Sequence, residues 1–443
     1  MTWLGIHAIL GIMLTFSLVC KAISGDRRAL RGGMRLLAEV AHRYGIPITW
    51  AIDGSSARIF ADDLTEWHES HGDEPLLMLD IGPMSKTNVG LQDSVESAEH
   101  IVTMREKIPK YVSSEWTKIQ RVMEWTSPRI AGADKKTHVL LYALEQVGFK
   151  GLWGYRWDGT DLESGDDRGC PFGFFYPSKD RHNLAGTPSS RIVGIPQASS
   201  NLTEHREPQE EGSQNGHEAT LQRWISSGLA GQTFDCYATS AKWNRWLGYV
   251  QHISVADLME LESEGTEQLD AFLGKVCEHE ATQVMLLSDA ANDYQLAFKQ
   301  TPPTFLLMGN ESQADEGSSK TPSHSTFFYY DEECQFIFER DKMEPVDMKN
   351  YVSPPTDSRH GIEFTLPQIE HFYPTRTRDK LQMRFSLEST KAMPYGFAIW
   401  GNHEGLTLVN SNAKEVKWLS DQLLFIRVEL QPGINEIEVV ITI

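Results

Sequence analysis

Buried strands and amphipathic helices alternate along the first part of the chain. Residues 11–19 form an apolar run rich in β-formers, and apolar residues at helical spacing then lead to Gly45 as a helix cap. A second apolar strand covers residues 46–53, so the chain opens as a βαβ unit. The same pattern predicts strands over 74–80, 127–131, 149–157, 246–252 and 282–288, with helices over 57–71, 91–124, 135–147 and 255–276. Parallel strands alternating with helices indicate an α/β fold, and a (β/α) barrel fits because no dinucleotide fingerprint accompanies the strands.

Helical periodicity disappears in the last third of the chain. A polar stretch over residues 309–325 marks the change, and a hairpin over 327–338 follows it. Further β-patterned segments cover 382–387, 396–400, 424–430 and 434–443. We therefore expect a barrel domain over 1–310 with a polar insertion at 201–220, a linker over 311–325 and an all-β, sandwich-like domain over 326–443.

Composition and charge narrow the classes of function. Hydrophobic residues make up 40% of the 443 residues and charged residues 23%, which excludes a disordered or fibrous chain. Sixty-one acidic against 41 basic residues give a net charge of −20 with no sustained basic cluster, so we expect no nucleic-acid partner. The five cysteines are far apart and form no CxxC pair, which predicts neither a disulfide framework nor a thiolate zinc site.

The apolar run over residues 6–19 has two interpretations. A signal peptide would carry Lys or Arg before the run and a small-x-small cleavage site after it, and neither is present. A buried first strand is therefore favoured, with a cytoplasmic location, and secretion is the alternative. The run is too short for a confident transmembrane helix, so we expect no integral membrane span.

Candidate chemistry falls where predicted strands end, because the working residues of such barrels lie at the carboxyl ends of the strands. Asp53, Asp80, Arg129, Asp158 and His252 occupy these positions. A carboxylate there can act as a base or bind a metal ion, and a histidine can act as an acid. The structural alternatives are a helix cap for Asp53, a turn for Asp80, an ion pair for Arg129 and a loop histidine for His252.

The loop over residues 157–176 combines acidic, glycine and aromatic residues. Its carboxylates suit a hard cation, and its aromatic rings suit stacking on sugars. We predict substrate contacts from Trp157, Asp158, Asp161 and Tyr176, and a metal site that uses Asp80 and Asp158. A solvated acidic loop is the alternative.

Three stretches, over residues 35–53, 66–74 and 144–155, together resemble polysaccharide deacetylases of the NodB-homology superfamily. The resemblance covers about residues 10–310 and implies a distorted (β/α) barrel that removes N- or O-acetyl groups from sugars. It also implies a divalent metal ion, zinc or similar, and an acetylated glycan as partner. By this resemblance His252, in Val250-Gln251-His252, supplies the acid, and Arg129 stands for the family's arginine.

The catalytic motifs depart from the family pattern. The family's first strand ends in Thr-Phe-Asp-Asp-Gly, whereas this chain has Thr-Phe-Ser-Leu-Val over residues 15–19. Asp80-Ile-Gly-Pro stands where a His-x-x-x-His pair is expected, and no proline follows Arg129 at the family's spacing. Two functions remain. One is a divergent hydrolase with a metal ion held by some of Asp53, Asp80, Asp158 and His252, and the other is a non-catalytic carbohydrate-binding or scaffold protein.

Overall fold

The chain divides into two compact units in a computed structural model, Met1–Pro302 and Pro303–Ile443. The division lies before the predicted end of the barrel domain at residue 310. The structure describes residues 14–23, 27–81, 98–133, 135–155, 170–179, 182–183, 185–188, 190–197, 229–241, 244–259, 261, 263–302, 304–308, 326–330, 334–339, 368–376, 380–389, 392–401, 407–420 and 423–442.

Parallel strands form the sheet of the first unit. They run in the order β6-β5-β4-β3-β2-β1-β7, and β8 pairs with β1 beside this path. The sheet is a nearly closed parallel barrel, as the βα alternation predicted. The strands are β1 (Leu14–Lys21), β2 (Ile48–Ile52), β3 (Glu74–Leu79), β4 (Ile130–Ala133), β5 (Gly151–Tyr155), β6 (Val193–Pro196), β7 (Leu247–Ser254) and β8 (Thr282–Val284).

Helices follow most of these strands. The described helices are α1 (Arg27–Arg43), α2 (Gly54–His71), α3 (Ala98–Gln120), α4 (His138–Val147), α5 (Leu229–Ala241), α6 (Val255–Met259), α7 (Ser263–Glu278) and α8 (Leu287–Ala297). None of them is long and apolar enough to cross a membrane. The helix predicted over 255–276 is two helices, and the strand predicted over 282–288 stops at Val284. Helical spacing of the buried residues Leu287, Ala290, Ala291 and Tyr294 explains this second difference.

Successive residues of the strands face opposite sides of the barrel wall. Val19 of β1, Trp153 of β5 and Val250 of β7 belong to one buried cluster, which also contains the apolar face of α8. On the other side of the wall, Phe16 and Tyr249 pack together, with ring centroids 5.6 Å apart, and Phe16 also meets Phe272 of α7. The barrel interior is therefore a packed core, and α8 contributes to it.

The seam between the two edge strands, β6 and β7, is bridged by neighbouring aromatic residues. Phe175 pairs with Gly194 of β6 in an antiparallel bridge. The ring of Phe174 lies against Gly248 of β7 so closely that a Cβ there would be 2.8 Å from the ring. Both glycines leave room for a phenyl ring where a side chain would collide. Residues after 170 thus complete the wall of the barrel.

The described residues of the second unit form antiparallel strands, as the β-patterned sequence of the C-terminal region predicted. One sheet has the order β16-β17-β14-β11-β10-β9 and the other β12-β13-β18-β15. Its first strand lies in the segment that the sequence assigned to the barrel domain. The strands are β9 (Thr304–Met308), β10 (Thr326–Tyr330), β11 (Cys334–Glu339), β12 (Gln368–Arg376), β13 (Lys380–Ser389), β14 (Met393–Gly401), β15 (Thr407–Ser411), β16 (Glu415–Ser420), β17 (Leu423–Leu430) and β18 (Gly433–Thr442).

Candidate functional site at the carboxyl end of the barrel

Three of the predicted site residues lie at the carboxyl ends of barrel strands. Asp53 directly follows β2, Asp80 directly follows β3, and His252 lies two residues before the end of β7. Strand β1 runs further than the sequence motif suggested and ends at Lys21, with Ala22 and Ile23 after it. Within residues 14–23, which the structure describes here, the carboxyl end of β1 therefore carries no carboxylate.

His252 lies on the inner side of the barrel wall. Val250, two residues earlier, packs in the interior cluster, and alternate residues of a strand share a face. The imidazole is half-buried and meets the Trp153 indole edge to face, with ring centroids 5.2 Å apart and planes at 64°. The backbone beside it is held by Gln251, whose side-chain amide donates to the His252 carbonyl oxygen at 2.8 Å. The fold thus fixes an acid-base group beside an aromatic ring.

Two glycines place the rings at the end of β5. A Cβ on Gly132 of β4 would lie 2.9 Å from Cε3 of Trp153, so only glycine leaves room for this indole. Gly154 has φ +102°, and the pairing of β5 with β6 shifts register between Trp153 and Tyr155. This bulge re-aims the strand at its carboxyl end.

A buried cation lies beside this bulge. Lys136, after the end of β4, is only 6% exposed, and its Nζ lies 5.3 Å from the centroid of the Tyr155 ring. An aromatic face at this distance attracts an ammonium group electrostatically. Lys136 and Tyr155 thus lie at the same end of the barrel as the His252 and Trp153 pair.

Asp53 caps the helix that follows it. Its Oδ1 accepts hydrogen bonds from the backbone N–H groups of Ser55 at 3.0 Å and Ser56 at 2.7 Å, at the start of α2. A carboxylate in this position satisfies N–H groups that a helix leaves without partners. The structure therefore contains the capping arrangement that the Gly-Ser-Ser sequence suggested, and a catalytic role for Asp53 stays a prediction.

The predicted metal site lies only partly within the described residues. Asp80 is exposed, and its backbone carbonyl accepts from the Tyr111 hydroxyl at 3.2 Å. No group of three or more His, Cys, Asp or Glu side chains within the described ranges is arranged to hold a metal ion. The described donors at this end of the barrel thus do not fit a divalent ion by themselves. Asp158, the other predicted ligand, lies outside the described residues together with Trp157 and Asp161.

Arg129 lies at the amino end of the barrel and not at the carboxyl end where the sequence placed it, and its catalytic role stays a prediction. The predicted strand ended at residue 131, but β4 begins at Ile130, so Arg129 precedes the strand. Its guanidinium donates to Ser288 Oγ at 3.1 Å and lies 3.8 Å from Asp289, both at the start of α8. The structural alternative, an ion pair, describes this arrangement.

Tyr176 lies in the core, and its hydroxyl is already bonded to the protein's own backbone, so its predicted contact with a substrate stays a prediction. The side chain is 5% exposed, and its hydroxyl donates to the Phe298 carbonyl at 2.9 Å. Burial raises the pKa of the Tyr176 hydroxyl. Since the segment after residue 170 completes the barrel wall, its aromatic rings fill the interior.

Sequence reasoning missed Trp153 and Lys136 as residues of this end of the barrel. Trp153 could have been found from the alternation along β5, which places it on the inner face near the carboxyl end. Lys136 carries no such signal, because a lysine beyond a strand end is normally solvated. The Tyr155 ring of the next strand is one of its contacts.

Comparisons with known proteins support the type of fold. No family model matches the sequence, and no curated protein matches it. A solved structure described as a glycoside hydrolase/deacetylase, from Parabacteroides distasonis, is similar with a TM-score of 0.50 at 12% identity, over 74% of this chain and 81% of that one. Structures described as polysaccharide deacetylases give lower TM-scores. The one from Mycobacterium smegmatis has 0.41 at 13% identity, and the one from Pseudomonas aeruginosa PAO1 has 0.40 at 12%, each over 66% of this chain and 93% of the other. The match to the Parabacteroides distasonis structure thus shows a shared barrel fold.

Proposed function

We propose that the chain is a carbohydrate-active hydrolase that removes an acyl group from a glycan at the carboxyl end of the barrel. The observation that carries the proposal is the half-buried imidazole of His252, held on the inner face against Trp153. An imidazole is the side chain best suited to proton transfer near neutral pH. The deacetylase-type barrel supports an acylated sugar as the substrate class.

The proposed reaction is the addition of water to the acyl carbon. The water oxygen forms the new carbon–oxygen bond, and the bond from the acyl carbon to the sugar nitrogen or oxygen breaks. His252 gives a proton to the leaving amine or alkoxide, and the proton lost by water restores the imidazolium. The products are a free carboxylic acid and a sugar with a free amino or hydroxyl group.

The test compares His252→Ala with the wild type on acetylated oligosaccharides, by measuring released acetate. Loss of general acid catalysis lowers rates by roughly 100-fold to 10,000-fold, and we expect a fall of that size. The melting temperature should change little, because the imidazole is half-buried. His279→Ala is the matched control, since His279 lies beyond α7 and contacts Thr282 at 2.8 Å. Full turnover by the His252 variant would contradict the proposal.

Carbohydrate binding without hydrolysis is the second candidate. Two observations favour it. The end of β1 reads Lys21-Ala22-Ile23, which has no carboxylate, and the Asp53 carboxylate is engaged in capping α2. Calorimetry with acetylated oligosaccharides, with and without added Zn²⁺, separates the two candidates. Binding without acetate release under both conditions would establish the second and exclude the first.

A further inference from the structure

The indole N–H of Trp153 is a buried donor beside the proposed site. Trp153 is 2% exposed, and no described residue places an acceptor within hydrogen-bonding distance of Nε1. Folded proteins pair nearly all of their buried polar groups, so a donor of this kind needs an explanation. A ligand that brings its own acceptor is one such explanation.

The packing of the indole shows which edge carries this donor. Cε3 of Trp153 faces β4, since it lies 2.9 Å from the position of a Cβ on Gly132. Cε3 and Nε1 lie on opposite edges of an indole, so Nε1 is directed away from β4. The ring also contacts the His252 imidazole, at 5.2 Å between centroids. The indole that carries this donor is therefore in contact with the proposed proton donor.

We propose that Trp153 donates its indole N–H to the acyl carbonyl oxygen of the bound glycan. This inference rests on the proposed function and names a second residue that touches the substrate. The carbonyl oxygen and the leaving atom are bonded to the same carbon, so the groups that serve them must be neighbours. Trp153 and His252 meet this requirement because their rings are in contact. A donor aimed at this oxygen stabilises the negative charge that develops on it.

A second buried indole provides a matched control. Trp246 is also 2% exposed, and its Nε1 likewise has no acceptor among the described residues. It directly precedes β7, at the amino end of the barrel, where it meets Tyr294 with ring centroids 6.1 Å apart. Replacing either tryptophan by phenylalanine removes the N–H and keeps an aromatic ring.

The experiment measures kcat, KM and the melting temperature for Trp153→Phe and Trp246→Phe with acetylated oligosaccharides. We expect Trp153→Phe to lower kcat on the order of 100-fold, as loss of one such donor does in other hydrolases. Trp246→Phe should keep wild-type turnover. The indole N–H resonance of Trp153, identified by its loss in the variant, should shift with the acetylated oligosaccharide and not with the same sugar lacking acetyl groups.

The outcomes separate this inference from the function on which it rests. If His252→Ala is inactive while Trp153→Phe turns over like the wild type, the inference is overturned and the proposed function stands. If the wild type binds acetylated oligosaccharides without hydrolysing them, the proposed function is overturned. The acetyl-dependent shift of the Trp153 resonance then still shows whether this donor contacts the acyl group. Equal shifts with both sugars overturn the inference.

Discussion

The backbone N–H of Ser288 donates a hydrogen bond of 3.0 Å to Oε1 of Glu74, which joins the first turn of α8 to the start of β3. Thr49 of β2 donates its hydroxyl to the same oxygen, also at 3.0 Å. The carboxylate is 6% exposed, and a negative charge at a helix N-terminus is favourable. Burial nevertheless raises the pKa of Glu74, against the opposing effects of these hydrogen bonds and of Arg129. Glu74 thus anchors α8 at the amino end of the barrel. The free-energy cost of burying its carboxyl group is larger when that group is ionised.

The first prediction concerns this pH dependence. Because the pKa of Glu74 is higher in the folded than in the unfolded chain, its protonated form is favoured by folding. Its contribution to stability is fully present below the unfolded pKa and is lost as pH rises through the folded pKa. In Glu74→Gln, which keeps an acceptor but does not titrate, this dependence should be absent. Urea unfolding at several pH values should show the stability of the wild type relative to the variant falling as the pH rises above the ordinary pKa of a glutamate. A difference that is constant or rises with pH would contradict the argument.

The second prediction separates the two roles of Asp53. Asp53→Ala removes the acceptor for Ser55 and Ser56 and should lower the free energy of unfolding by about 1 kcal/mol. Asp53→Asn keeps a good cap and should stay within a few tenths of a kcal/mol of the wild type. We expect this asparagine variant to keep its turnover as well, because the carboxylate is engaged in capping. A stable but inactive Asp53→Asn protein would instead establish the catalytic role.

The sequence predicted the barrel because its signals are local. The first strand was expected from an apolar run without a charged flank, and the structure places β1 over Leu14–Lys21, where seven of its eight residues are buried. The cap at Asp53 followed from Gly-Ser-Ser after a strand, and the Gly148 cap from the glycine after a helical pattern. Each of these features is determined by residues that lie only a few positions apart in the sequence.

The end of the barrel at which a residue lies was harder to predict, because it depends on exact strand boundaries and on contacts between residues far apart in the sequence. Strand β4 has four residues, and a shift of its boundary by a few positions moved Arg129 from one end of the barrel to the other. Tyr176 was expected on a ligand-binding surface because it follows an acidic loop, yet its hydroxyl bonds Phe298. Such contacts join residues more than 100 positions apart, so no spacing within the loop could indicate them.

The last prediction tests whether Gly132 positions Trp153. In Gly132→Ala the new methyl group would lie 2.5 Å from Met78 Sδ and 2.9 Å from Trp153 Cε3. The thioether can move at small cost, since Met side chains are flexible, but the rigid indole must shift as a whole. Overpacking of this kind destabilises by roughly 1–3 kcal/mol, and the displaced indole should also lower turnover or glycan affinity.

Gly32→Ala in α1 is the control, because its nearest neighbour is 3.7 Å away and alanine favours a helix. It should be neutral or stabilising and leave the site unchanged. Thermal unfolding and acetate release measured on both variants check the prediction, and a Gly132→Ala protein with wild-type stability and turnover would show that the indole is not held by this contact.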